Sequence, residues 1–234
     1  MPNYDMLAFL SYLFQKQVRM IKAAIFDLDN TLLKCRSSER LFFKYLVIHR
    51  IITIRDVFRI ASAFLGRLFR LKGIYVRENK FYLKGKDMEV VKDAASRFFK
   101  ERLVPIISCN AMEELKKKKE DGFLIILLSG TIGVLLKHFE DYCGADLAVG
   151  NLLASVNGHF TGEIEGIHPY GNGKAIVLKK LAEEKGIDLS ESYAYADRYV
   201  DIYHMKLVGH PVAVNARGRF LRYAKRNNWQ LTFF

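Results

Sequence analysis

Asp27 and Asp29 stand two residues apart where an apolar run ends, in the stretch Ala23-Ala24-Ile25-Phe26-Asp27-Leu28-Asp29-Asn30-Thr31-Leu32-Leu33. Two carboxylates so placed, at the carboxyl end of a buried strand, suit the centre of a phosphoryl-transfer site. Three more polar groups recur in similar settings: Ser129 after a second apolar run, Lys174 at the start of a helical pattern, and Asp197 after a third apolar run. If these groups meet, phosphoryl transfer is the chemistry they fit.

The elements that would bring them together can be read from the hydrophobic pattern. Four apolar residues before Asp27 predict a buried strand, and in an open parallel sheet ligands bind at the strands' carboxyl ends. Phe123 to Leu128 reads as a central strand that gives way to a polar loop, Ser129-Gly130-Thr131, and then to a helix over Ile132 to Asp141. Asn110 to Glu120 reads as a helix with Lys116 to Lys119 facing solvent, and Asn157-Gly158 as a hairpin turn. Gly171-Asn172-Gly173-Lys174 opens an amphipathic helix that ends at Gly186. Lys174 then sits in a first turn, where the helix dipole disfavours a cation, and this misfit points to a nearby anion. Ser192 to Ala196 is a short strand ending at Asp197, and Asp201 lies at the start of a helix from about Val200 to Leu207. A strand over Pro211 to Val214, a basic helix over Gly218 to Asn227 and a last strand over Trp229 to Phe234 complete an α/β, doubly wound parallel sheet. Tyr193 and Tyr195 alternate along their strand as packing residues.

The chain has 234 residues, 50% of them hydrophobic, enough for one domain or one domain with an insertion, and a formal net charge of +12. Most of that charge lies in residues 36–104, where 17 Lys and Arg face 7 Asp and Glu. Helical periodicity and frequent aromatics there predict a basic helical cap, and the charge favours an anionic partner. Cys35, Cys109 and Cys143 have neither disulfide nor zinc spacing, so a reducing cytoplasm is the expected setting. Phe123 to Leu136 is too short to span a bilayer. Residues 1–20 predict an amphipathic helix, for which packing on the body is favoured over contact with a membrane surface. The histidines have no metal-ligand spacing, and none is given a catalytic role; His168, beside Pro169 and near Lys174, is the least bland of them.

In this order the motifs resemble the haloacid dehalogenase superfamily, whose pattern is Asp-x-Asp-x-Thr, a Ser or Thr closing a hydrophobic strand, a Lys and a late acidic pair. The resemblance runs from Ile21 onward. It is closest to the phosphoserine-phosphatase-like branch, which carries a helical cap between the first two motifs and resembles this chain also at Gly158-His159-Phe160-Thr161-Gly162-Glu163. It implies a catalytic core over 21–35 and 105–234, a cap over 36–104 and an N-terminal helix over 1–20. It makes Asp27 the nucleophile, Asp29 the acid and base, Ser129 and Gly130 the phosphate-binding groups and Lys174 the neutralising cation. Mg2+ would be held by Asp27, the Asp29 carbonyl and Asp197, with Thr31 bracing the loop and Asp201 orienting the metal site or Lys174.

Two stretches depart from the branch. Phosphoserine phosphatases place an acid nine residues after the nucleophile to meet the substrate ammonium, and here that position is Arg36. Arg198 and Val200 replace small or polar residues around the late acidic pair. The expectation is therefore a Mg2+-dependent phosphatase of a small phosphomonoester other than phosphoserine, acting through an aspartyl phosphate. Arg36 and Arg40 would meet a second anionic group, and Arg198 would bind substrate, pair with Asp201 or mark altered activity. The alternatives are a binding protein of the same fold with little turnover, and a phosphatase at a membrane surface acting on a lipid-derived phosphate. Nucleic acid is not an expected partner, because the basic residues form no recognisable module.

Overall fold

In the computed structural model, which describes residues 20–53, 55, 56, 58 and 80–234, Ala23–Phe26 form a strand, β1, buried on both faces. Ala24 and Phe26 pack into one hydrophobic layer, Ala23 and Ile25 into the other. A run with no polar face is what the centre of a parallel sheet requires. With elements numbered in chain order, β1 pairs in parallel with β2 (Leu124–Ile132) on one side and with β5 (Tyr193–Ala196) on the other. β3 (Leu147–Val156) and β4 (His159–Glu165) extend one wing; β6 (His210–Val214) and β7 (Gln230–Thr232) extend the other. The order is β4-β3-β2-β1-β5-β6-β7, and only the β3–β4 hairpin is antiparallel. The chain leaves β1 for one wing and returns to the other at β5. The crevice between the carboxyl ends of β1 and β5 is thus the topological switch point of the sheet, where ligands bind in such folds.

Helices cover both faces. On the Phe26 side lie α1 (Ser38–Ile48), α2 (Met88–Phe98), α3 (Cys109–Glu120) and α4 (Gly133–Cys143), which contribute Phe42, Phe98, Leu115 and Phe139 to that layer. On the Ile25 side lie α5 (Asn172–Lys185), α6 (Ile202–Met205) and α7 (Gly218–Arg226), contributing Leu178, Met205 and Phe220. Phe26 stacks on Tyr195 with ring centroids 4.3 Å apart. The Tyr195 hydroxyl donates to Glu114 Oε1 at 2.6 Å, which gives a deeply buried phenol the partner it needs.

Several boundaries differ from the sequence reading. Ser129-Gly130-Thr131 is not a loop: β2 runs through it to Ile132, with a register shift between Leu128 and Ile132, and the Asn151 amide on β3 donates to the Gly130 carbonyl. A side chain on the neighbouring strand thus replaces part of the ladder. Lys118 is buried rather than solvent-facing, because its ammonium lies 3.3 Å from the centre of the Tyr193 ring and near Glu114. The helix expected from Val200 is a single 3-10 turn, Tyr199–Asp201, followed by the short α6. β7 spans three residues, shorter than the expected strand. The expected N-terminal helix lies outside the described residues except for Met20.

The chain returning toward α2 lies along β4. Lys80 N donates to Gly162 O at 2.8 Å, Gly85 N to Phe160 O at 2.7 Å and Met88 N to Gly158 O at 2.8 Å, while Phe160 N donates back to Lys86 O at 2.9 Å. Gly162 makes this approach possible. Its φ is +84°, and a Cβ there would lie 3.1 Å from both Phe81 Cα and Lys84 Cβ.

Candidate active site

Asp27, the first residue beyond β1, is buried, and its amide donates to the Tyr195 carbonyl at 2.9 Å. Lys174, in the first turn of α5, is 2% exposed and donates to Asp27 Oδ1 at 2.7 Å; it also pairs with Asp201 Oδ1 at 2.9 Å. These two carboxylates supply the anion that a lysine at a helix's positive end requires. α5 must begin close against the preceding loop, because a Cβ on Gly173 would overlap the His168 carbonyl oxygen. Burial works against the Lys174 charge, yet Asp201 and Asp27 together hold the ammonium above its usual range. Burial pushes the Asp27 carboxyl up against the pull of Lys174, and Asp201 adds to the rise.

One carboxylate oxygen from each of Asp27, Asp197 and Asp201 lies within 4.8 Å of the others. Burial and the nearby Asp27 push the Asp197 carboxyl up to about 7. Its Oδ2 accepts from Asn30 Nδ2 at 2.9 Å, and its buried Oδ1 has no hydrogen-bond partner among the described residues. An all-oxygen set with an orphaned carboxylate oxygen and more carboxylates than ammoniums fits a hard divalent cation such as Mg2+. Asp27 and Asp197, two of the expected ligands, are joined in this carboxylate cluster by Asp201; the third expected ligand, the Asp29 carbonyl, is a backbone group and not part of a carboxylate set.

Asp29 Oδ1 accepts from the Ser38 amide at 2.7 Å, in the first turn of α1. Burial raises its carboxyl to about 6, with the Ser38 amide opposing and Asp27 adding to the rise. The Ser38 hydroxyl lies 3.0 Å from that of Thr131, so α1 also touches the end of β2. The backbone of Thr31 donates to Leu28 O at 3.3 Å, but its hydroxyl has no partner among the described residues. Bracing through that side chain is therefore not seen.

Asp27, Asp29, Ser129, Gly130, Lys174 and Asp201 share one cavity of about 300 Å³ with Arg36, Arg40 and Arg198. Asp197 lines the adjoining cleft. The Arg198 guanidinium donates to the Arg36 carbonyl at 2.6 Å and lies 3.7 Å from Asp197, rather than pairing with Asp201. Lys80 and Glu39 also line the cavity, joined at 2.6 Å, and the Tyr82 hydroxyl donates to Glu39 at 3.0 Å.

Four contributors escaped the sequence reading. Asn30 adopts a left-handed conformation, φ 56°, that lets its amide reach Asp197; Asn tolerates that region, so this was a readable signal. Ser37-Ser38-Glu39 is a helix N-terminus signature that could have placed Ser38. Asn151 is fully buried, and its Oδ1 accepts from His168 Nδ1 at 2.6 Å while its amide reaches Gly130. Nothing local in the sequence marks it, because the role depends on strand pairing. His204 is fully buried, its Nδ1 3.9 Å from Asp201, and burial and then Lys174 hold it well below its usual pKa as a neutral imidazole.

The sequence pattern of haloacid dehalogenase-like hydrolases matches residues 24–206, which span every group just described. The chain belongs to this family. It is similar to the inhibition of morphological differentiation protein of Streptomyces azureus, 30% identical over 220 residues that cover 91% of this chain and 78% of the relative. It is 28% identical over 231 residues to phosphoserine phosphatase SerB1 of Mycobacterium tuberculosis, covering 94% of this chain and 73% of that protein. A structure of a protein of unknown function from Bordetella pertussis Tohama I shares the fold of this haloacid dehalogenase-like chain, with a TM-score of 0.76 at 21% identity and coverage of 91% and 98%. Among the described residues, no helix is long and apolar enough to cross a membrane.

Proposed function

We propose that this haloacid dehalogenase-type phosphatase hydrolyses a small phosphomonoester bearing a second anionic group, through an aspartyl phosphate on Asp27. The observation that carries the reading is Lys174, buried and bridging Asp27 and Asp201 at the floor of a cavity whose rim holds Arg36, Arg40 and Arg198.

An Asp27 oxygen attacks phosphorus, the ester P–O bond breaks and Asp29 gives its proton to the departing oxygen. Asp29, held by the Ser38 amide, then takes a proton from the water that attacks the aspartyl phosphate, releasing phosphate and restoring Asp27. Ser129 and the Gly130 amide hold phosphoryl oxygens, and Lys174 offsets the charge that gathers beside the nucleophile. Mg2+, the metal general to the family, would be held by Asp27 and Asp197 with Asp201 alongside, supplying positive charge toward the phosphoryl oxygens. The core over 21–35 and 105–234 supplies this chemistry, and the cap over 36–104 supplies selectivity.

A phosphoserine ammonium would find no free carboxylate on the cap side among the described residues, since Glu39 is already engaged by Lys80 and Tyr82. Carboxylate- or phosphate-bearing esters suit Arg36 and Arg40 better. A phosphomonoester panel assayed with Mg2+ tests the reading. Turnover should favour doubly anionic esters over phosphoserine, and Asp27→Asn should lower it by about 10⁴-fold or more. No turnover of any ester refutes the phosphatase assignment for this chain, and activity surviving in Asp27→Asn removes Asp27 as nucleophile.

A further inference from the structure

Beside the reaction cavity lies a second cleft, of about 480 Å³, that the proposed chemistry leaves unused. Arg36 and Arg198 form the wall between the two, joined by the hydrogen bond from the Arg198 guanidinium to the Arg36 carbonyl. Arg217 and Arg219, at the start of α7, also line it. Four arginines therefore line one small volume. Its lining includes one carboxylate among the described residues, Asp197, which is committed to Asn30 and to the acidic cluster.

Of the cleft's arginines, Arg198 lies 3.7 Å from Asp197 and the other three have no carboxylate partner among the described residues. Arg219 lies over the Tyr199 ring at 3.8 Å and donates to its hydroxyl at 3.0 Å, a contact that fixes the guanidinium without cancelling it. Among the described residues no carboxylate pairs with Arg36, Arg217 or Arg219, whereas Lys80, Lys86 and Lys174 are each paired. No acid stands in the first turn of α7, where the helix dipole adds to the same positive potential. Planar, multidentate guanidiniums of arginines that line a cleft suit phosphate or carboxylate oxygens.

We propose that this cleft is an anion-binding site separate from the reaction centre, taking a phosphate group. Its source is either the far end of a long substrate or free phosphate, and Arg198 is the shared wall through which occupancy is felt at Asp197. The substrate-end version rests on the phosphatase reading; the binding site itself does not.

The test uses the full chain and two readouts. Calorimetric titration with inorganic phosphate should show two classes of site in the wild type. Arg217→Gln with Arg219→Gln should weaken one class at least tenfold, Ser129→Ala should weaken the other, and Arg226→Gln, which removes an arginine at the opposite end of α7, should weaken neither. Phosphate binding that the paired arginine changes leave intact, or that Arg226→Gln lowers equally, overturns the site. Alkanediol bisphosphates of increasing length are then compared with alkyl monophosphates. A bisphosphate preference that collapses in the arginine variant assigns the site to the substrate's far end, and binding without any such preference assigns it to free phosphate. If no ester is hydrolysed, the phosphatase reading fails and the titration alone decides the cleft.

Discussion

At the floor of the reaction cavity Lys174 is 2% exposed and donates to two carboxylates, whereas at the rim Arg36 and Arg40 stand in solvent and pair with no carboxylate among the described residues. The floor charges were removed from water on folding, so each must be answered by the others. The rim charges remain hydrated, so their removal leaves nothing buried and unpaired. The same sign of charge is thus bound into the interior in one place and left open to solvent in the other.

The strongest way to break this contrast is Lys174→Met, which leaves Asp27 and Asp201 facing each other in the interior. Urea unfolding without metal should show a loss of about 3–5 kcal/mol, and a loss no larger than that of a surface lysine would mean the floor is not interdependent. Gly162→Ala forces a side chain into the left-handed region against the strand-like segment before α2 and should cost about 1–2 kcal/mol by the same measurement. It sharpens the contrast by disturbing the seat of the Lys80–Met88 segment on β4 while leaving the floor untouched. At the rim, Arg40→Ala should raise KM for a carboxylate-bearing phosphoester on the order of tenfold, the worth of one charge-assisted hydrogen bond. A fall confined to kcat would place Arg40 in the chemistry instead.

The smallest effect concerns Asp56. Burial pushes its carboxyl up, but the Lys86 ammonium at 2.6 Å and the Thr53 donors outweigh it and hold the pKa at about 2 rather than 3.8. A depressed carboxyl contributes stability that is present above the unfolded value and lost as pH falls through the folded one. Asp56→Asn should therefore unfold more readily than the wild type above pH 3.8, with the gap closing as pH falls toward about 2. A gap independent of pH would assign the loss to packing.

The floor was the more legible of the two regions. Asp27, Ser129 and Asp197 each end an apolar run, and in a parallel sheet that alone sends them to one edge; Lys174 betrayed its partners by being a cation at the wrong end of a helix. The fold's alternation of strands and helices was readable for the same reason. What could not be read depends on contacts across the sequence. Asn151 is an ordinary asparagine until β3 is set beside β2, and Lys118 belongs to a run of four lysines of which only the one facing Tyr193 is buried. The end of β2 was misread because Ser-Gly-Thr carries turn chemistry, which strand pairing overrode.

The four backbone hydrogen bonds between the segment before α2 and the β3–β4 hairpin bear on more than the cap. β4 is the last strand of its wing, and its outer N–H and C=O groups would otherwise be open to pairing with another chain. Lys80, Gly85, Lys86 and Met88 occupy that edge, while the opposite edge is blunted by β7 being only three residues long. The segment from Lys80 to Met88 thus also guards the sheet against edge-to-edge aggregation, and a chain trimmed of it would lose solubility.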